Sequence, residues 1–401
     1  MTKRLTFSLA LSPVVLALAS CGSGAAGDSG QATSTPSPTG SGTGTGGAAV
    51  TTSFRSEAFG TFNEPWAAAF APGTQVLFVT EKRGTIRFID VATQRMGTVT
   101  GVPQVDYGGQ GGLGDIAFLP AEASGALGRR TIYLSWAEAG DPGTDTRGAA
   151  LGRGTLVCQA DACAIEGLRV IWRQPKVTGR GHYGHRIAVS PDGQHLYVSS
   201  SDRQKMTPAQ DTSNNIGSIV RLNLDGTVAA GNPLSGQSGR AQDIWSWGHR
   251  NVLGMDFDAQ GRLWEVEHGP AGGDELNLVE RGANYGWPVV SEGDHYDGED
   301  IPPHSSRPEF RAPAVSWTPV IAPGDFLFYR GDRFQGWQGQ AIISTMKPNG
   351  LVRVAINGTS AREVARHPMD NRIREIVEGP DGALWALEDG PDGRLLRLTP
   401  G

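Results

Sequence analysis

"HRIAVSPDGQHLYVSSSD", His185 to Asp202, decides the fold of this chain. Two runs rich in β-branched and aromatic residues flank Ser-Pro-Asp-Gly. In that turn proline presets φ and glycine tolerates the positive φ a tight reversal needs. The stretch therefore reads as strand, turn, strand. The same phrase returns along the chain. It stands at Pro65 as "PWAAAFAPGTQVLFVTEKRG" and at Gly112 as "GLGDIAFLP", joined after an insertion by "TIYLSWAEAG". It stands again at Asn251 as "NVLGMDFDAQGRLWEVEHG" and at Ile321 as "IAPGDFLFYRGDRFQGWQGQAIISTMKPNG". The last copy, at Ile373, is "IREIVEGPDGALWALEDG". Most copies lead into a third strand, such as "TIRFID", "SIVRLNLDG", "LVRVAI" or "RLLRLTP". No long stretch spaces its apolar residues at the helical period. The 57 glycines suit a chain of tight turns.

Six such units predict an all-β, six-bladed β-propeller. Radial stacking buries the faces of each blade and leaves only short edges. "TTSFRSEAF", starting at Thr51, is expected to add a strand to the last blade and close the ring. Two β-sandwich domains are the alternative. In a propeller, the loops at the ends of the inner strands gather around a central channel. Polar residues far apart in sequence then share one address.

Residues 1–20 read as a signal peptide, with Lys3 and Arg4 before the apolar run Leu5 to Ala19. Leu18-Ala19-Ser20-Cys21 resembles a bacterial lipobox, which implies cleavage before Cys21 and a lipid on that residue. A chance cysteine behind an ordinary signal peptide is the alternative. Residues 21–51 are nearly all Gly, Ser, Thr, Ala and Pro, a composition that reads as a flexible tether. The propeller then occupies 52–401. The resemblance to Gram-negative lipoproteins implies, through the neutral Gly22 behind the cysteine, an exported protein on the outer membrane, facing the periplasm. Cys158 and Cys163 sit in "LVCQADACAIEG" between strand-like runs, without the further thiols or histidines a metal site needs. Export and spacing favour a disulfide. A net charge of −6 with intermixed signs argues against a nucleic-acid partner.

The polar motifs fall at the ends of the predicted strands. "GHYGHRIAV" places His182 before an inner strand, and "SSSD" places Asp202 after the next. Antiparallel pairing sets the start of one strand beside the end of its neighbour. Asp202 can therefore accept from one imidazole nitrogen and leave the other as a general base; alone, a capping histidine is the blander reading. Gln110 stands among glycines in "GGQGGLGDIAF", where a turn explains it equally. Arg250 and Asn251 in "GHRN", Lys347 in "STMKPNG" and Arg372 and Arg374 in "NRIRE" all stand at strand ends. Each alone is a solvated group. Four cations aimed at one channel imply an anionic ligand held by charge-assisted hydrogen bonds. "EVEHGPAGGDELNLVERGANYGWP", Glu265 to Pro288, offers the carbonyls of Gly269 and Pro270, with Asp274 and Glu275 close by. Calcium accepts such oxygens, and a well-capped loop is an equal alternative.

Together the motifs resemble the soluble pyrroloquinoline quinone (PQQ)-dependent aldose sugar dehydrogenases. "GQGGLGDIAF", "HYGHR", "GSIVRLNLDG", "GHRN", "EHGPAGGDELN", "NYGWP" and "NRIRE" follow in that family's order, from about Phe62 to the C-terminus. The resemblance implies a six-bladed propeller with PQQ over its channel. It implies His182 as base, Asp202 as its orienting carboxylate and Arg250 as a stabiliser of charge on the cofactor. Gln110, Arg250, Asn251, Lys347, Arg372 and Arg374 correspond to the PQQ-binding set. The Gly269 and Pro270 carbonyls correspond to the ligands of a catalytic calcium. The main-chain oxygens of Glu275 and Tyr285 correspond to a second, structural calcium site. Oxidation of an aldose at C1 to the lactone follows, with electrons passed to an acceptor the sequence does not name. Two other readings are a calcium-dependent propeller lactonase, which wants acidic channel residues, and a non-catalytic binding propeller, which wants no His–Asp pair.

Overall fold

The computed structural model describes residues 53–159 and 162–401. The signal peptide, Cys21 and the whole of the tether lie outside the described residues. Within them the chain is built of short antiparallel strands.

Six groups of four strands follow one another. Their first strands are Pro65–Phe70, Leu113–Phe118, Gly184–Val189, Val252–Phe257, Pro323–Phe328 and Ile373–Glu378, and the groups are numbered in that order. Each first strand pairs antiparallel with the strand after the turn, as the repeated phrase predicts. The sixth group is completed from the other end of the chain. Phe54–Phe62 pairs antiparallel with Gly393–Pro400. Groups one and two also join edge to edge, through a short parallel pairing of Val99 with Cys163 and Thr100 with Ala164. That pairing makes one eight-stranded sheet. It uses the long strands Arg147–Gln159 and Ala162–Arg173 that the insertion in group two provides. Cys158 and Cys163 face each other across this hairpin and are joined as a disulfide.

The apolar cores lie between groups rather than within them. Trp66 and Phe78 pack with Leu134 and Trp136, joining groups one and two. Tyr133 and Leu151 pack with Leu196 and Val220, joining two and three. The pattern continues through Tyr197 with Met255, Trp264 with Phe326, and Leu327 with Leu384. Finally Trp385 and Leu387 pack on Leu77 and Val79, joining group six to group one. Second strands such as Val76–Glu81 and Ala341–Met346 are therefore buried along their whole length. This is why they read as continuous apolar runs rather than alternating ones.

All six first strands break register with their partners at the same place, near the first residues. A bulge re-aims the side chains around it. Here it brings Asp115, Arg186, Asp325 and Glu375, one residue from each of four first strands, into one buried charge cluster.

Candidate active site

His182 and Asp202 meet as the strand pairing requires. Gly184 is registered opposite Ser200, so the residues just outside each end are neighbours. His182 Nδ1 lies 2.7 Å from Asp202 Oδ1. Asp202 is fully buried and takes two further donors, the Trp287 indole at 2.7 Å and the Gln204 amide at 2.8 Å. A carboxylate so held accepts a hydrogen bond from Nδ1–H and leaves the Nε2 lone pair as the basic atom. The His182 amide donates to Gln110 Oε1 at 2.7 Å, which ties the glycine-rich loop to the base.

The backbone here is unusual. His182, His185, Arg203 and Gln204 all have φ between 47° and 57°, a region that non-glycine residues occupy at a cost. Arg203 supports it. Its buried guanidinium donates to the carbonyls of Gly181 at 3.0 Å, Gly179 at 2.7 Å and Arg147 at 2.6 Å. Strained backbone of this kind clusters at active sites and ligand clamps.

A cavity of about 240 Å³ opens beside this pair. Trp66 and His185 both line it and stack on one another, 4.9 Å apart with 17° between their planes, so the wall there is an aromatic ring face. His185 fits only because residue 114 is glycine; a Cβ there lies 1.9 Å from its Nδ1. Burial, with Arg186 and Arg203 nearby, lowers His185 to about 3, so the ring is neutral. Lys82, Arg372 and Arg374 reach the cavity, and no carboxylate lines it. Asp389 holds both arginines from behind, 2.9 Å from Arg372 Nε and 2.8 Å from an Arg374 amine. Gln110 and Asn251 complete the polar lining, and Asn251 Oδ1 is buried without a hydrogen-bond partner.

Arg250 lines the adjoining small cavity with Gly269. Its guanidinium donates to the His268 carbonyl at 2.9 Å and lies 5.1 Å from the Trp287 ring. Lys347 is exposed, directly after the cavity residue Met346, and does not itself line the cavity. Lys82 does, and the sequence reading missed it. It follows the second strand of group one, the position Lys347 holds in group five and His268 in group four. Comparing the copies position by position finds it. Trp287, the donor that fixes Asp202, lay unassigned inside "NYGWP".

The loop at Gly269 is shaped by Asp274. Its carboxylate accepts from the amides of Gly269 at 2.9 Å, Ile321 at 2.8 Å and Ala322 at 2.6 Å. Burial pushes it up to about 6. A Cβ on Gly269 lies 2.2 Å from the carbonyl oxygens of Gly272 and Gly273. Among the described residues, no amide donates to the carbonyl of Gly269 or Pro270. Two free carbonyls on a braced turn suit a hard cation. At the second expected site the fit is poorer, because the Tyr285 carbonyl already accepts from His304 Nε2 at 2.9 Å. Glu275 is buried beside Glu265, Glu267 and His249. Burial raises Glu275 well above the usual carboxylate range and Glu265 to about 8. Burial acts to lower His249, and the carboxylates of Glu265 and Glu267 outweigh it, holding the ring at about 9.

A family model described as glucose/sorbosone dehydrogenase matches residues 62–397. The chain belongs to the glucose/sorbosone dehydrogenase family. It is 34% identical over 346 residues to the aldose sugar dehydrogenase YliI of Escherichia coli (strain K12), covering 84% of this chain and 90% of that one. The crystal structure of the soluble aldose sugar dehydrogenase from Escherichia coli in the apo-form aligns with TM-score 0.78 and 33% identity, over 87% of this chain and 100% of that chain. The PQQ-bound form of the aldose sugar dehydrogenase from Streptomyces coelicolor aligns with TM-score 0.67 and 26% identity, over 87% of this chain and 98% of that chain. The family match spans every candidate site residue from Gln110 to Arg374.

Proposed function

We propose that the chain is a six-bladed β-propeller that oxidises aldoses at C1 to the lactone, with PQQ and calcium as cofactors. The six inter-group cores, the last closing on the first, support the blade count. One observation carries the function: a cavity with a flat aromatic wall, three cations and no carboxylate opens beside an oriented histidine base. That lining suits a planar polyanion, which PQQ is. Lys82, Arg372, Arg374, Asn251 and Gln110 are the residues that would hold it, and the Gly269 and Pro270 carbonyls those that would hold calcium. Bound there, PQQ supplies the hydride acceptor and calcium a Lewis acid.

The chain's own part is proton and charge management. His182 Nε2 takes the proton of the anomeric hydroxyl, and Asp202 stabilises the imidazolium that results. Arg250, at the adjoining cavity, stabilises negative charge that builds up on the accepting side. A lactonase reading needs several Asn, Asp or Glu side chains converging on calcium, and the cavity walls offer Asn251 and no carboxylate among three cations. A binding propeller does not account for the oriented His–Asp pair.

Apo-protein supplied with PQQ and calcium is expected to reduce a dye with an aldose as donor, and omitting either cofactor to abolish this. The reading is falsified if no PQQ-dependent absorbance change and no turnover on any aldose appear. Lys347, outside the cavity, is expected to contribute least among the cations.

The N-terminal features extend the proposal. We infer that Cys21 is lipidated and that residues 21–51 tether the propeller to the outer membrane, facing the periplasm. Cys21→Ser should then move the protein from the membrane to the soluble fraction. A protein that stays soluble in both forms sinks the anchor.

A further inference from the structure

One buried cluster has no part in that chemistry. Glu265 and Glu267 lie two apart on one strand and face the same side; Glu275 and Asn277 do so on the next. The register sets Glu267 opposite Glu275 and Glu265 opposite Asn277. His249 directs Nδ1 into the group, 3.4 Å from Glu267 Oε1 and 3.5 Å from Glu265 Oε1. All five residues are at least nine-tenths buried.

Hydrogen bonds satisfy this group only in part. Asn277 Nδ2 donates to Glu265 at 2.7 Å and to Glu275 at 3.1 Å. His249 Nδ1, Glu265 Oε2 and Asn277 Oδ1 have no hydrogen-bond partner. Three orphaned polar atoms in one place are what protein interiors avoid. A cation completes the group. Tetrahedral zinc with ligands at about 2.0–2.1 Å sets neighbouring ligand atoms about 3.3–3.4 Å apart, close to the two distances from His249 Nδ1. One ligand atom from each of His249, Glu265 and Glu267 lies within 4.8 Å of the others.

We propose that His249 Nδ1 and the carboxylates of Glu265 and Glu267, with Glu275 beside them, bind one divalent ion of the zinc or manganese type. Imidazole nitrogen selects such ions over calcium, which prefers oxygen alone. The proposed ligands are side-chain atoms, whereas those expected for calcium at Gly269, Pro270, Glu275 and Tyr285 are main-chain oxygens, and the two sets are neighbours, since His249 stacks on Tyr285. The outer contacts are those of a metal-bound histidine. Nε2 meets Ser246 Oγ at 2.8 Å, and the ring stacks on Tyr285 at 4.5 Å. Glu267 Oε2 accepts the amides of Arg250 at 2.5 Å and Asn251 at 3.1 Å. The ion therefore braces the carboxylate that positions the site arginine.

The test uses the whole protein, purified without a polyhistidine tag from cells supplied with zinc and manganese. Elemental analysis of wild type is expected to find about one equivalent of zinc or manganese per chain, retained through gel filtration. His249→Asn and Glu265→Gln should each lose it, with calcium content unchanged. X-ray absorption at the edge of the retained metal should show one imidazole nitrogen among oxygens. Wild type without zinc or manganese overturns the proposal. So does equal retention by the variants, or a shell of sulfur or several imidazoles.

Discussion

Replacing His182 with alanine is expected to lower kcat by about 10²–10⁴-fold, the usual contribution of a positioned general base, while the protein still binds PQQ. The expectation rests on separation of tasks. The His182 imidazole is committed to Asp202 on one side. The cavity's cations come from other groups, through Lys82, Arg372 and Arg374, and its aromatic wall from Trp66 and His185. The link from His182 to Gln110 runs through its main-chain amide, which alanine keeps. Removing the side chain should leave the ligand pocket standing. The measurement is turnover on a saturating aldose, alongside a spectroscopic PQQ titration. Retained turnover removes His182 from the chemistry. Lost binding with normal turnover of the bound fraction gives it a different task. The left-handed φ of 47° at this residue is a second reason for alanine rather than a β-branched replacement.

What the sequence discloses and what it hides divide along physical lines. The strand–turn–strand phrase is local, so the order of elements and the meeting of His182 with Asp202 were legible from it. The Gly269 loop was legible too, because Gly-Pro and Gly-Gly announce backbone constraints. There Asp274 accepts three amides, as a capped loop requires. The hidden features depend on register and on contacts between distant units. The bulge that opens every first strand leaves no mark of its own, yet it aims Arg186 inward. The bond from Trp287 to Asp202 spans 85 positions. The parallel edge between groups one and two depends on the length of an insertion. The cluster around His249 is spread over three strand ends, and its residues read singly as ordinary charges.

Arg186→Met is expected to destabilise the protein by about 3–5 kcal/mol, the range for removing one partner from a buried ionic network. The size of the loss follows from where the side chain sits. Arg186 is buried and belongs to the first strand of group three, yet it touches the first strand of every other group. Its guanidinium lies 4.2 Å from the Trp66 ring in group one. It stands 3.7 Å from Asp115 in group two, 3.8 Å from Asp325 in group five and 2.7 Å from Glu375 in group six. It donates to the carbonyl of Leu253 in group four and, at 2.9 Å, to that of Gly324 in group five. A side chain that reaches all five other first strands sits on the axis of the ring. Burial already raises Asp115 and Asp325 and holds Glu375 up at about 7, even with the arginine beside them. Methionine fills similar volume and leaves three buried carboxyl groups without a cation. Those carboxyls also brace the ring, since Asp115 accepts the Ile187 amide at 2.8 Å and Glu375 the Ala68 amide at 3.3 Å. The loss should appear as a lower urea midpoint, and as failure to accumulate if the margin is small. Adding Asp325→Asn and Glu375→Gln to Arg186→Met should recover part of it, because the cost lies in the unpaired charges rather than the missing contacts. An unfolding free energy within about 0.5 kcal/mol of wild type, the scatter of a neutral surface change, would show that the axis is not held by charge.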